Sequence, residues 1–483
     1  MLLNKTEYPG SDTQESVPLS TSFAFIAFGH GSGHRDGGGH SEFIQGQIQN
    51  NKVFVSVFIL MGGGGQVRVA VFLVIVLISS IVIPTITASS EADFKLDFVP
   101  MELGPDSHEV TGLEFLPDSD EFLTVNQYGE VSHYEIDGNR ITRLDGFKLP
   151  DIVFGQQCAV SIVFDVDHDQ NGLVYFSYCP SQHEMGIYRF YFNGQDYDSV
   201  AETKTEIFLT GDIRAERPWH SIGTLNMDAD GNLWAPIGDK HLDDNAQNLS
   251  NPLGSVIRIV PNRDPGGDGH EPSAGNPFIG MPGFNPDIYA SGIRSPWTAA
   301  LDSKGRLWVG DVGFMSFEEI NLITEPGMNF GWSDAEGPCI VNCSGFSEPL
   351  ISYEHDFGAS SIWVGREYLP TGPDRYEGHL YGKMPYGDFY GDFIHLVEID
   401  ENDRVVSDQL VGKLPRITSW GQGADGYLYV TVFDNEPTVI YRVVLANPFP
   451  THILLVTIAG IVLAGMIAVW AWPSNRSVID EEE

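Results

Sequence analysis

Basic residues are scarce in this chain: 26 Lys and Arg stand against 66 Asp and Glu in 483 residues, a formal charge of -40. That balance excludes nucleic acid as a partner, because phosphate binding needs a cationic face. It also disfavours anionic membrane surfaces and fits an acidic, well-solvated exterior. Cysteine is nearly absent, with only four residues. No HExxH, GxSxG or Rossmann glycine run occurs, so the sharpest metalloprotease, hydrolase and dinucleotide signatures are missing. Long amphipathic helices are lacking too. What is plentiful is glycine (53), proline (29) and aromatic side chains (12%), the composition of many short strands joined by tight turns.

Two apolar stretches bear on location. Arg68 precedes about 15 apolar residues, Val69 to Ile83, followed by Pro84 and the small-residue patch Thr87-Ala88-Ser89. This is the anatomy of a secretory signal with cleavage near Ala88. Ile453 to Trp472 gives about 20 residues without a charge, the length of a membrane span, with Trp470 and Trp472 as interfacial anchors. The expected organisation is a non-native or disordered leader over 1–60, with Met61 as the true start. A signal peptide over 61–90 and a folded domain over 91–448 follow, then an anchor over 449–475 and a cytoplasmic tail over 476–483. The expected location is the cell membrane, single-pass, with the domain on the extracytoplasmic side. The leader's Gly/His-rich pieces, such as His30-Gly31-Ser32-Gly33-His34, are set aside as metal sites on that ground.

The cysteines suit an oxidising compartment. Cys158 and Cys179 flank a predicted hairpin and are expected to pair. Cys339 and Cys343 are expected to close a small ring, with a zinc site as the alternative.

One unit recurs along the exported part: an Asp/Asn/Gly turn followed by an apolar-aromatic strand. It reads Asp165-Val166-Asp167-His168-Asp169-Gln170-Asn171-Gly172 before Leu173, and Asp228-Ala229-Asp230-Gly231 before Leu233-Trp234. It returns as Asp302-Ser303-Lys304-Gly305 before Leu307-Trp308, and as Ala424-Asp425-Gly426 before Leu428-Tyr429. Weaker copies are Pro117 to Thr124 and Pro385 to Tyr390. The first copy is not an EF-hand, since its sixth residue is Gln170 rather than glycine. About six hairpins at this spacing predict an all-β, six-bladed propeller, with a pair of β-sandwiches as second choice. A propeller brings loops from distant blades to one end of a central channel.

Three segments carry more polar groups than a core tolerates: Pro218 to Gly223 leading to Gly238-Asp239-Lys240, Ser291 to Trp297, and Gly310 to Phe314 with Glu318-Glu319-Ile320-Asn321. Taken alone they describe a polar channel mouth with a candidate base, His220, and a cation, Arg294. Taken together, the run from Asn285 through Tyr289-Ala290-Ser291-Gly292-Ile293-Arg294-Ser295-Pro296-Trp297, Leu307 to Gly313, Glu318 to Asn321 and Gly327 to Trp332 resembles the soluble quinoprotein glucose dehydrogenases and aldose sugar dehydrogenases. The likeness extends over roughly residues 98–445.

That resemblance implies a six-bladed propeller holding pyrroloquinoline quinone (PQQ) and Ca²⁺ at the channel mouth. It implies His220 as general base, Asp239 as its carboxylate partner and Arg294 as the cation on the quinone. It places calcium on the backbone of Gly313 and Phe314, and Gln156 against the cofactor. The cofactor's three carboxylates call for further cations, for which Lys240, Arg366, Lys383 and Arg416 are the candidates. The family's Arg-Asn-Pro reads Arg294-Ser295-Pro296 here, and its Gly-Leu-Leu-Gly reads Cys158-Ala159-Val160-Ser161. The implied reaction oxidises an aldose at its anomeric carbon to a lactone. Electrons would pass to a membrane quinone or cytochrome, with the bilayer engaged through the C-terminal helix. Alternatives are a non-catalytic binding propeller, like the hedgehog-interacting proteins, and a calcium-dependent lactone hydrolase.

Overall fold

The computed structural model describes residues 94–446, apart from 105–107, 153–160, 182, 212–219, 341–342, 356–358 and 434–438, and two short strands nearer the N-terminus. Those two, Ser56–Phe58 and Phe72–Val74, pair antiparallel within a separate unit, Met1–Thr87. The second strand falls inside the apolar run read as a signal segment. The C-terminal anchor and tail, Gln156 and Cys158 lie outside the described residues. Among the described residues no helix is long and apolar enough to cross a membrane.

The second unit is a six-bladed β-propeller, built from six antiparallel meanders. In chain order, blade 1 covers 110–148, blade 2 161–209, blade 3 226–272, blade 4 296–354, blade 5 362–413 and blade 6 417–445. Blade 3 carries a fifth strand, Ile288–Ser291, on Ser255–Pro261. The ring closes through the N-terminus: Leu96–Glu102 is the outermost strand of blade 6, in register with Val439–Leu445 from Leu445↔Leu96 to Val439↔Glu102. Beginning and end of the domain are thus locked into one sheet.

At four of the six junctions, neighbouring innermost strands are joined by side-chain hydrogen bonds to backbone. Ser419 Oγ accepts from Leu113 N (3.1 Å) and Ser161 Oγ from Leu225 N (2.8 Å). Asn226 Oδ1 accepts from Leu301 N (3.0 Å), and Thr298 Oγ1 from Val364 N (2.6 Å). These short polar residues line a central cavity of about 180 Å³ reaching all six blades. Between blades the packing is apolar, for example Trp234, Ile293, Leu307 and Phe330 between blades 3 and 4.

The recurring turn has one physical basis. In blade 4, Asp302 Oδ1 accepts Lys304 N (2.9 Å) and Arg306 N (3.0 Å), while Oδ2 takes Trp308 Nε1 (3.0 Å). In blade 3, Asp228 does the same for Asp230 N, Asn232 N and Trp234 Nε1. Blades 2 and 6 use Tyr175 and Tyr429 hydroxyls on Asp165 and Asp425. The aspartate shapes the turn and ties down the aromatic of the following strand. Asp302→Ala leaves buried donors unpaired, which costs about 1–3 kcal/mol for each such group. Chemical denaturation should therefore show a loss of at least that order with little change in m-value.

Pro385 to Tyr390 corrects one of the weaker copies. Met384–Asp388 is itself a buried strand of blade 5, and the turn that precedes it ends at Lys383. The residues expected to form the turn therefore belong to the strand, which is buried on both faces. The second cysteine pair is a disulfide, Cys339–Cys343 with Cα atoms 5.6 Å apart, so those thiols are not zinc ligands. Cys179 is also disulfide-bonded.

Candidate active site

In a meander of this kind, residues just before an innermost strand and residues just after the second strand emerge at the same end. His220 precedes Asn226–Met227 and Asp239 follows Leu233–Ile237; Arg294 precedes Pro296–Leu301 and Val312-Gly313 follow Leu307–Asp311. Blades 3 and 4 therefore deliver all four loops to one mouth.

The centre of the site is a buried carboxylate. Asp239 is fully buried; its Oδ1 lies 2.5 Å from His220 Nδ1 and accepts His241 N (2.8 Å), while Oδ2 accepts Trp332 Nε1 (2.8 Å). Burial works against its charge, but the bonds from His220, Trp332 and His241 prevail and hold its pKa below the usual carboxylate value. An ionised carboxylate only accepts, so Nδ1 of His220 carries the proton and Nε2 the lone pair. Burial lowers the His220 pKa, and Asp239 only partly restores it against Arg294 and Lys240. The imidazole is thus neutral near pH 7 and available as a base.

Arg294 is held from two sides. Its backbone N–H donates to Asp311 (2.9 Å), as does that of Ser295 (2.6 Å), and its own carbonyl accepts Asp239 N (2.9 Å). The guanidinium donates to the carbonyls of Val312 (2.8 Å) and Gly313 (2.6 Å) and lies over the rings of Phe314 and Trp332. Gly292 allows this turn: its φ is +78°, and a Cβ would collide with Asn329 Oδ1. Asp311 is buried, and burial with Glu319 nearby raises its pKa to about 8. Its role is to hold the arginine loop.

Lys240 is buried beside this pair, and burial lowers its pKa to about 8. Arg416 reaches the same end from blade 6, where its N–H donates to Phe389 O (2.9 Å) and the Phe389 ring meets Trp297 at 5.1 Å. His220, Lys240, His241 and Arg416 all have left-handed backbone, with φ of 56°, 59°, 57° and 60°. Such strain in non-glycine residues concentrates where the fold imposes a functional geometry.

Other candidates go elsewhere. Arg366 follows the inner strand Ile362–Val364, so it sits toward the opposite end, paired with Glu114 at 3.0 Å. It borders a recess of about 610 Å³ lined also by Asp165, Asp228 and Asp302. Lys383 lies at that far end too, 3.5 Å from Glu398. Neither converges on His220. Gly313 and Phe314 are at the correct mouth, yet the Gly313 carbonyl already accepts from Arg294. Calcium needs six to eight oxygens, and a guanidinium on one of the expected ligands is a poor fit for it.

Two site residues escaped the reading of the sequence. Trp332 was visible only as part of a motif run, 93 positions from the carboxylate it contacts. His241 directly follows the Asp239-Lys240 pair, and its proximity to a candidate base was the available signal.

The comparisons with known proteins bear on the fold and the family. The family model described as glucose / sorbosone dehydrogenase matches residues 108–442. Aldose sugar dehydrogenase YliI of Escherichia coli is 26% identical over 333 residues, covering 66% of this chain and 85% of its own. HIPL2 protein of Arabidopsis thaliana is 30% identical over 195 residues, 34% of this chain and 28% of its own. Among solved structures, the PQQ-bound aldose sugar dehydrogenase of Streptomyces coelicolor superposes with a TM-score of 0.58 at 18% identity, over 74% of this chain and all of that one. The apo-form enzyme of E. coli gives 0.58 at 21%, over 72% and 99%. With a family model spanning the whole ring from blade 1 to blade 6, this chain belongs to the glucose / sorbosone dehydrogenase family.

Proposed function

We propose that this protein is a PQQ-dependent sugar dehydrogenase that oxidises an aldose at its anomeric carbon to the lactone. The observation that carries the reading is the His220–Asp239 pair, 2.5 Å apart, at a mouth where the buried Arg294 and Lys240 also lie. In a chain so short of basic residues, two buried cations beside this pair fit a cofactor that carries three carboxylates. When bound, that quinone supplies the two-electron acceptor for the sugar's hydride. His220 Nε2 takes the proton of the anomeric hydroxyl. Asp239 stabilises the imidazolium that results and fixes the tautomer beforehand. Arg294, immobilised by two carbonyls and two rings, places positive charge where negative charge develops.

Calcium, the electron acceptor and the location extend the same proposal. A Ca²⁺ ion would require the Arg294 guanidinium to release the Gly313 carbonyl, and no step here depends on it. Electrons would leave to a membrane quinone or cytochrome. The charge-free run near the C-terminus supports a single-pass anchor with the propeller on the extracytoplasmic side.

The test is reduction of an artificial dye by the full-length protein with PQQ, with and without Ca²⁺, over a panel of aldoses. Sugar-dependent reduction that requires PQQ supports the proposal. No cofactor uptake and no reduction would move the function to a binding propeller.

Lys240 gives a pH dependence for cofactor binding. Its ammonium is charged below about pH 8 and neutral above. The anionic cofactor favours the charged form, so affinity holds below that pH and falls above it, by up to about tenfold per pH unit. Fluorescence titration with PQQ between pH 7 and 9.5 measures this, and Lys240→Met should flatten the dependence.

A further inference from the structure

The reaction just proposed leaves one imidazole of the site without a task. The His241 ring lies on that of His220, centroids 3.6 Å apart and planes inclined by 30°. The same oxygen, Asp239 Oδ1, receives His220 Nδ1 (2.5 Å) and the His241 backbone N–H (2.8 Å). Both histidines hold left-handed backbone, φ 56° and 57°. One carboxylate oxygen therefore ties down a base and the residue stacked on it.

A hydrogen bond at Nδ1 does not by itself fix an imidazole. Small coupled changes in its two side-chain torsions let the ring rock about the Nδ1–Asp239 contact and displace Nε2. A flat ring against one face removes that freedom. It also keeps water from that face, which contributes to the burial that holds His220 neutral.

We propose that His241 is a positioning residue for His220: its ring clamps the plane of the base and aims Nε2 at the sugar hydroxyl. This rests on the reading of His220 as the proton acceptor. His241 itself need not touch substrate. The charged groups around His220 are Asp239, Arg294 and Lys240, and none of them is altered when only residue 241 is exchanged.

Two substitutions in the full-length protein separate ring contact from backbone. His241→Asn removes the ring while suiting left-handed backbone, and His241→Phe keeps a flat ring without ionisable nitrogens. A small misplacement of a reacting group costs up to about 10²-fold. His241→Asn should therefore lower kcat by about 10- to 100-fold with the sugar KM changed less than about threefold. His241→Phe should stay within about threefold of the parent. In the cofactor-free protein, NMR titration of the His220 ring should show its pKa rising toward the ordinary histidine value in His241→Asn and remaining low in His241→Phe.

Unchanged turnover in His241→Asn overturns the inference, as does an equal loss in both variants, which marks a role in folding alone. The NMR readout needs no turnover. A parent protein that never oxidises sugar, yet shows the His220 pKa response, sinks the catalytic reading of the site and not the ring contact.

Discussion

His220→Ala should lower kcat by about 10²- to 10⁴-fold, the range that a positioned general base contributes. His220 Nδ1 is committed to Asp239 at 2.5 Å, which leaves Nε2 to take a proton at the mouth. Stability should fall as well. Asp239 is fully buried and would lose one donor, a cost of about 1–3 kcal/mol, although Trp332 Nε1 and His241 N still serve it. His220→Asn, better suited to the backbone at φ 56°, should show the same loss of turnover with less destabilisation. The parent's pH profile follows from the lowered His220 pKa. Neutral imidazole is the active form, so kcat/KM should be level above the ordinary histidine value of 6.5 and fall only below it, as the pH drops through the depressed pKa. Stopped-flow or steady-state dye reduction measures both. A variant at residue 220 with full turnover would remove the base assignment altogether.

Deleting residues 94–102 should be the most damaging change outside the site. That segment holds the outer strand of blade 6, Leu96–Glu102, seven residues in register with Val439–Leu445, through which the start of the domain completes its last sheet. Its loss exposes the strand edge of Val439–Leu445 and removes the buried side chains of Leu96 and Met101 from the core. Each side chain is worth about 1.5–3 kcal/mol, before the lost ladder bonds are counted. The total approaches the net stability of a typical domain, about 5–15 kcal/mol. The truncated chain should fail to give a cooperative thermal transition and should aggregate through the open edge. A truncated protein that melts like the parent would show that the ring does not depend on this closure.

The blades were legible because their signal is local. Asp302 reaches Lys304, Arg306 and Trp308, all within six residues, so turn, strand and anchoring aromatic are written side by side. The Pro385 copy misled for the same reason: a glycine and an aspartate beside aromatics look alike whether they form a turn or end a strand. His220, Asp239 and Arg294 were legible through their motifs, and the structure brings them together. Arg366 and Arg416 show what spacing could not tell. Arg416 stands just before an inner strand and Arg366 just after one, so they emerge at opposite ends of the channel.

Alternation and turn chemistry in the chain are enough to specify a ring of short-stranded sheets, because both act over a few residues and repeat. The motif run that carries the family resemblance points to His220 and Asp239. The packing of blades 3 and 4 decided the rest: that Trp332 meets Asp239, that Arg294 engages the Gly313 carbonyl, and that one histidine ring stacks on another. The first two contacts join different loops, and the third depends on left-handed backbone held in place by a buried carboxylate. Neither leaves a periodic trace in sequence, because each is set by where the blades place their loops rather than by neighbours along the chain.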